Sequence, residues 1–187
     1  MELRRFGDAK EDLVATLQLD PTSPLALARL GILELTEGWL TTAQRHINRA
    51  AAMAEMLEQN GPEITVARAL AAVAAGADGD RAKQLGEGRR LAESALQDPA
   101  RDPRTTVQAL IVLAGTAILE RNWKLADQQI ERARQLVPDS PDVLVTAGGM
   151  AHSASRDDVA RRYLLEAQKI APNHPAVVAL AATMRTR

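Results

Sequence analysis

The sequence predicts an all-α chain built from repeated pairs of helices. Two segments, 107–140 and 141–174, carry small and apolar residues at the same relative positions, 34 residues apart. Aromatic residues make up only 2% of the chain although 46% of it is hydrophobic, so alanine and leucine must fill the core. Such a composition is typical of helices that pack closely through small side chains.

The segment 141–174 shows the pattern most clearly. Large apolar residues occupy its positions 4 and 24 (Leu144 and Leu164), and proline occupies position 32 (Pro172). Small residues occupy positions 7, 8, 11, 20 and 27, which are Ala147, Gly148, Ala151, Ala160 and Ala167. The segment 107–140 satisfies the same template with a larger residue at position 7. This pattern resembles the tetratricopeptide repeat (TPR), and the resemblance implies a right-handed α-solenoid in which each unit supplies a helix A and a helix B.

The rest of the chain divides around these two repeats. Residues 24–61 form a further repeat, in which Gly31 allows the helices to cross closely and Gly38 turns the chain. Residues 1–23 resemble only the second half of a repeat, with a helix that starts at Ala9 behind an Asp8 cap. This is expected of a piece of a longer protein, and the alternative is a domain with an unusual half-repeat cap. Residues 175–187 form a final helix that caps the apolar end of the stack. We expect one continuous domain over residues 1–187.

The segment 62–106 departs from the template. About ten residues exceed the length of one repeat there, and they must lie in a longer helix B and in the link that follows it. Gly86 and Gly88 fall inside that helix and weaken it, which predicts a kink or a break near Gly86. Arginines gather in the same stretch, so Arg89 and Arg90 become candidates for a second binding surface in an irregular segment that runs from Gly76 to Pro103.

Charge and composition narrow the choice of partner. The chain has 23 basic and 24 acidic residues, for a net charge of −1, and therefore has no broad field that would attract nucleic acid. It contains no cysteine, which excludes disulfides and fits either a reducing or an oxidising compartment. No stretch has the length and hydrophobicity of a signal peptide or a membrane span, so we expect a soluble chain, cytoplasmic or periplasmic, without direct membrane insertion.

Nothing in the sequence indicates catalysis or metal binding. The three histidines, His46, His152 and His174, have no metal-binding partner at helical spacing. His152 is close in sequence to Ser153, Ser155 and Asp157. Residues within one turn region cannot form a catalytic triad, however, because the triad needs a histidine base oriented by a carboxylate from a distant part of the chain. We therefore expect a protein that is not an enzyme and uses no cofactor.

The TPR resemblance implies that certain helix A positions face a concave groove. In this sequence those positions are mostly apolar, with the arginines and His152 at the edges, and they lack the lysine, asparagine and arginine set by which some TPR proteins hold a terminal carboxylate. The candidate groove residues are Leu25, Arg29, Ile32, Leu35, Ile64, Arg68, Gln108, Ile111, Ile118, Asp142, Val145 and His152. Such a strip either receives an apolar helix or segment, pairs with a second copy, or is buried by the curvature of the stack.

These observations predict a protein–protein interaction module or assembly scaffold whose partner is another protein or a peptide segment. The alanine- and arginine-rich style of the repeats resembles that of bacterial TPR proteins in envelope, secretion or pilus assembly. The alternative is a scaffold that associates with itself, in which the groove or an end of the solenoid binds another copy.

Overall fold

The computed structural model describes residues 2–75, 80–138, 140–153 and 155–185, and within these ranges the side chains of residues 2–7, 36, 153 and 175 are left aside. The described residues form helices and contain no strand, which confirms the all-α prediction. In chain order the helices are α1 (Glu2–Leu19), α2 (Pro24–Thr36), α3 (Leu40–Met56), α4 (Pro62–Ala75), α5 (Arg81–Gln97), α6 (Pro103–Leu119), α7 (Trp123–Leu136), α8 (Asp142–Ser153), α9 (Asp157–Ile170) and α10 (Pro175–Thr183).

The turns that follow α2, α6 and α8 share one backbone geometry. Helices α2, α6 and α8 are each followed by a residue with a left-handed conformation, namely Gly38 (φ 82°), Arg121 (φ 62°) and Ser155 (φ 59°). The next backbone N–H donates to a carbonyl five residues earlier, at 2.9, 2.8 and 2.8 Å respectively, which closes the helix in a Schellman motif. This confirms the predicted turn at Gly38, and the two other turn residues lie 34 positions apart.

The helix starts follow local capping signals. The side chains of Ser23, Asp80 and Asn122 accept hydrogen bonds from the first turns of α2, α5 and α7. Asp102 does the same for α6, where it accepts from the backbone N–H of Thr105 at 2.6 Å. Because Asp102-Pro103 supplies both a cap and a proline at the first helical position, α6 begins at Pro103 and not near Val107.

Three other expectations about helices are wrong. α1 runs without interruption through Gly7 and Asp8, so Asp8 does not cap a helix that starts at Ala9; a single glycine weakens a helix without ending it. α5 is likewise one continuous helix, without the break that the sequence allows near Gly86. The sequence Asn60-Gly61-Pro62 predicts a helix end near Gln59, but α3 ends at Met56, about one turn earlier, and Glu58 adopts a left-handed conformation with φ 53°.

The close crossing of α4 and α5 explains why α5 has a glycine, Gly88, near its centre. A Cβ atom at this position would lie 2.7 Å from Cγ2 of Val73 and 3.2 Å from the carbonyl oxygen of Ala69. Contacts this short indicate that α4 and α5 cross with no space for a side chain. The turn that the sequence places at 76–79 lies outside the described residues.

The chain divides into two compact units, Met1–Val112 and Leu113–Arg187, and the boundary falls within α6. In the first unit, Leu27, Ile47 and Ile64 lie in a core whose other buried members include several alanines. In the second, Ile118 is surrounded by alanines of α6, α7, α8 and α9. α10 packs against α8 and α9 and buries Val177 and Leu180. The division into repeats and a single domain stays a prediction.

Among the described helices, none combines the length and the hydrophobicity that crossing a bilayer requires.

Candidate functional site

The first unit contains a cavity of about 340 Å³, here named the groove cavity. Four helices form it: α1, α2, α4 and the first turns of α6. The apolar part of its lining comes from Ala9, Leu13, Ala28, Ile32 and Leu33, and the polar part from Asp12, Arg29, Glu63, Arg104 and Gln108. An apolar floor with a few polar groups around it is the usual composition of a binding site.

An ion pair spans the groove cavity. The guanidinium of Arg29 on α2 donates to both carboxylate oxygens of Glu63 on α4, at 3.1 and 3.3 Å. Both side chains are partly exposed, so the pair contributes little to stability and can exchange partners. Arg104 and Asp12 add one further charge of each sign to the same lining. The cavity therefore offers both a cationic and an anionic group to a bound polar chain.

Leu25 and Ile64 line a second cavity in the same unit, of about 320 Å³. It lies where α2, α4 and α6 begin, and Pro24, Pro62 and Thr105 also border it. Glu63 borders both cavities, which makes them neighbours. The structure thus brings Leu25, Arg29, Ile32, Ile64 and Gln108 to two adjoining depressions, although only about 6% of the Ile64 side chain is exposed.

Other candidate groove residues lie elsewhere in the first unit. Leu35 packs against the core cluster of α2, α3 and α4. Arg68 is exposed but lines a cavity among α3, α4 and α5, separate from the one that contains Arg29. Ile111 is half-buried and lines neither of the two adjoining depressions.

The remaining candidates lie in the second unit and serve its packing. Ile118 is fully buried in the core. Asp142 is exposed and Val145 is half-buried on α8. His152 is 6% exposed, and its Nδ1 lies 2.7 Å from Oδ1 of Asp157 at the start of α9. That contact joins the two ends of the α8–α9 turn, and nothing in it supplies a nucleophile.

Arg89 and Arg90, the candidate residues of the irregular segment, both interact with other residues of the chain. Arg90 donates to the two carboxylate oxygens of Glu87 at 2.9 and 2.7 Å, one turn earlier in α5. Arg89 is half-buried and also has an interaction partner. Whether these arginines contact another protein stays a prediction.

Sequence reasoning missed Asp12, Leu13 and Arg104 as cavity residues. Asp12 and Leu13 belong to α1, which the repeat template treats as a helix B and so excludes from the groove. Arg104 precedes the predicted start of its helix at Val107. The Asp102-Pro103 capping signal was the one local clue that placed Arg104 on α6.

Comparison with known proteins yields little further evidence. No family model matches the chain, and no curated protein sequence matches it. Among solved structures, the chain is similar to the one described as "Crystal structure of YrrB: a TPR protein with an unusual peptide-binding site". The sequences are 15% identical, the TM-score is 0.44, and the alignment covers 97% of this chain and 86% of that chain. This similarity assigns no site residue. On its own repeat residues and helix pairs, the chain resembles the tetratricopeptide repeat pattern, and its described residues are all-α.

Proposed function

We propose that the chain is a non-enzymatic protein-interaction module that binds a peptide segment in the groove cavity. The observation that carries the proposal is that four separate helices contribute an apolar floor and charges of both signs to one depression. Its volume of about 340 Å³ lies near the lower end of the range that binding pockets occupy. A segment with an aliphatic anchor and charged neighbours fits this lining.

The roles of the groove residues follow from their chemistry. Ile32, with Leu13 and Leu33, covers the aliphatic anchor and removes it from water. Arg29 exchanges its partner Glu63 for a carboxylate of the bound segment, which keeps both of its donors satisfied. Gln108 carries both a donor and an acceptor and so matches a peptide group of the bound main chain.

A peptide library tests this proposal. Random dodecapeptides displayed on phage are selected on the immobilised chain, and the affinity of the selected peptides is measured by fluorescence anisotropy. Ile32→Glu places a charge in the apolar floor and weakens binding by about tenfold or more. Leu165→Glu, at an exposed position of α9 in the other unit, serves as the matched control. Circular dichroism confirms that both variants keep their helix content.

The outcome distinguishes a binding site from a passive depression. Selected peptides that bind the Ile32→Glu variant as tightly as the parent exclude the groove cavity as their site. Peptides that respond to Ile32→Glu and ignore Leu165→Glu support it.

Exposed apolar side chains favour self-association as a second candidate function. Leu19 at the end of α1 is 90% exposed, and Met56 at the end of α3 is 75% exposed. A second copy of the chain that covered them would remove this area from water. Sedimentation velocity over a wide range of protein concentrations measures whether the chain associates with itself. A concentration-dependent dimer that Leu19→Glu and Met56→Glu convert to a monomer supports self-association, and a monomer at every concentration excludes it.

A further inference from the structure

A third cavity, here named the amide cavity, lies among α3, α4 and α5 in the first unit. Its volume is about 470 Å³, larger than that of the groove cavity. Ala72 of α4 lines it, whereas Glu63 of the same helix borders the groove cavity. Nine residues separate the two, which corresponds to about 180° around an α-helix. The two cavities therefore open on opposite faces of α4.

Carboxamide side chains characterise the lining. Gln44 and Asn48 come from α3, and Gln84 comes from α5. The Nε2 of Gln44 donates to Oδ1 of Asn48 at 3.0 Å. This bond leaves the carboxamide oxygen of Gln44 and the amino group of Asn48 for other partners. The cavity thus offers acceptors and donors side by side, as a peptide group requires.

Small residues on α4 keep the cavity open. Ala72 and Ala75 line it from the same helix, and a longer side chain at Ala72 would extend into the space. Leu91 of α5, a buried residue, adds an apolar surface. No aromatic side chain belongs to the lining among the described residues, so a nucleobase would have nothing on which to stack.

The charges in the amide cavity favour an anionic group. Arg68 and Glu87 both line it. Arg90 holds the Glu87 carboxylate through two hydrogen bonds, and these, with a smaller contribution from the charge of Arg68, lower the pKa of Glu87. Two guanidinium groups, those of Arg68 and Arg90, thus act on one carboxylate, which leaves a net positive charge at the cavity. A guanidinium at the edge of a row of carboxamides suits a carboxylate followed by main-chain amide groups.

We propose that the amide cavity is a second binding site, which takes an extended peptide segment with an acidic side chain. The acidic side chain pairs with Arg68, and the main-chain N–H and C=O groups of the segment pair with Gln44, Asn48 and Gln84. This site is independent of the groove cavity, and it gives the chain two faces for two different segments. It also assigns a role to Arg90, which holds Glu87 through two hydrogen bonds and so weakens its competition for Arg68.

The test uses the full chain with Ile32→Glu, in which the groove cavity no longer binds peptides tightly. Any tight binding that remains can then be attributed to the amide cavity. Random dodecapeptides displayed on phage are selected on this variant, and the affinity of the selected peptides is measured by fluorescence anisotropy. The selected peptides contain aspartate or glutamate. Adding Arg68→Glu lowers their affinity by about tenfold or more. Adding Arg45→Glu, at an exposed position of α3 that does not line the cavity, leaves the affinity unchanged.

Two further variants check the cavity itself. Ala72→Leu fills it and abolishes binding, and circular dichroism confirms that the fold persists. Gln84→Ala removes one carboxamide from a half-buried position and lowers the affinity without affecting the core. Peptides that bind the Arg68→Glu chain as tightly as its parent would overturn the proposal. A selection that yields no peptide would overturn it too, as would peptides whose acidic residues can be changed to alanine without loss of affinity.

Discussion

The Nδ1 atom of His46 lies 2.7 Å from Oε2 of Glu34, a carboxylate whose side chain is only 4% exposed. The two residues join the last turns of α2 to the middle of α3. A carboxylate this deeply buried is costly unless a donor satisfies it. His46, which is 25% exposed, is therefore what allows Glu34 to remain inside the first unit.

Removal of His46 tests this relationship. His46→Ala leaves the Glu34 carboxylate without its partner and lowers the free energy of unfolding by about 2–3 kcal/mol, since the pair is not fully buried. The double variant Glu34→Gln/His46→Ala carries no buried charge and recovers part of the loss. Urea unfolding followed by circular dichroism measures both changes. Equal stability of the parent and the His46→Ala variant would contradict the interpretation.

Two glycines of α5 provide a pair of opposite predictions. Gly86 has no atom within 4 Å of an added Cβ, so Gly86→Ala stabilises the chain by up to about 1 kcal/mol through helix propensity. Gly88 faces Val73 and Ala69 at the crossing with α4, so Gly88→Ala destabilises the chain by about 1–3 kcal/mol. Thermal unfolding of both variants measures the difference. If both substitutions changed stability in the same direction, the close crossing would not exist.

The contact between α10 and α8 predicts the role of the final helix. A Cβ at Gly148 would lie 2.8 Å from Cδ2 of Leu180, which is 7% exposed. Leu180→Asp places a charge in this contact and lowers the melting temperature of the chain. Val178→Asp, two residues away and 53% exposed, leaves the melting temperature nearly unchanged. Deletion of residues 175–187 uncovers the faces of α8 and α9 and promotes aggregation, which light scattering detects.

If the truncated chain remained soluble and monomeric with its melting temperature intact, α10 would be a tail rather than a cap.

Tyr163 allows a pH prediction because it is the one tyrosine of the chain. Burial, and secondarily its hydrogen bond of 2.5 Å to Asp127, raises the pKa of the phenol well above 10.0. The folded state therefore retains this proton at pH values where the unfolded state has lost it. The contribution to stability is present in full below the unfolded pKa and is lost progressively as the pH rises from the unfolded pKa to the folded pKa. Absorbance at alkaline pH follows the ionisation of this single group.

The variant Asp127→Ala separates the two causes of the raised Tyr163 pKa, burial and the hydrogen bond to Asp127. It lowers the ionisation midpoint of Tyr163 but leaves it above 10.0, since burial is the larger cause. A parent midpoint at the ordinary value would show that the phenol is accessible to water.

The sequence by itself determined the helices and the turns that local signals specify. α2 begins and ends as predicted because Ser23, Pro24 and Gly38 act on backbone atoms within one or two turns of themselves. The 34-residue repeat placed Arg121 and Ser155 at equivalent turns for the same reason. The template also names Arg29, Ile32 and Gln108 as groove residues, and all three line the groove cavity; whether that cavity binds a partner stays a prediction.

Only the tertiary structure determined which helix faces are buried by a neighbouring helix. Ile118 occupies a groove position of the template but is fully buried, and Arg68 lines a different cavity from Arg29. Gly88, which the sequence shows only as a weak helix former, provides the space for a helix crossing. Burial depends on where a neighbouring helix lies, and the extra residues of the segment 62–106, in α5 and in the link from α5 to α6, remove the fixed spacing from which that position is counted.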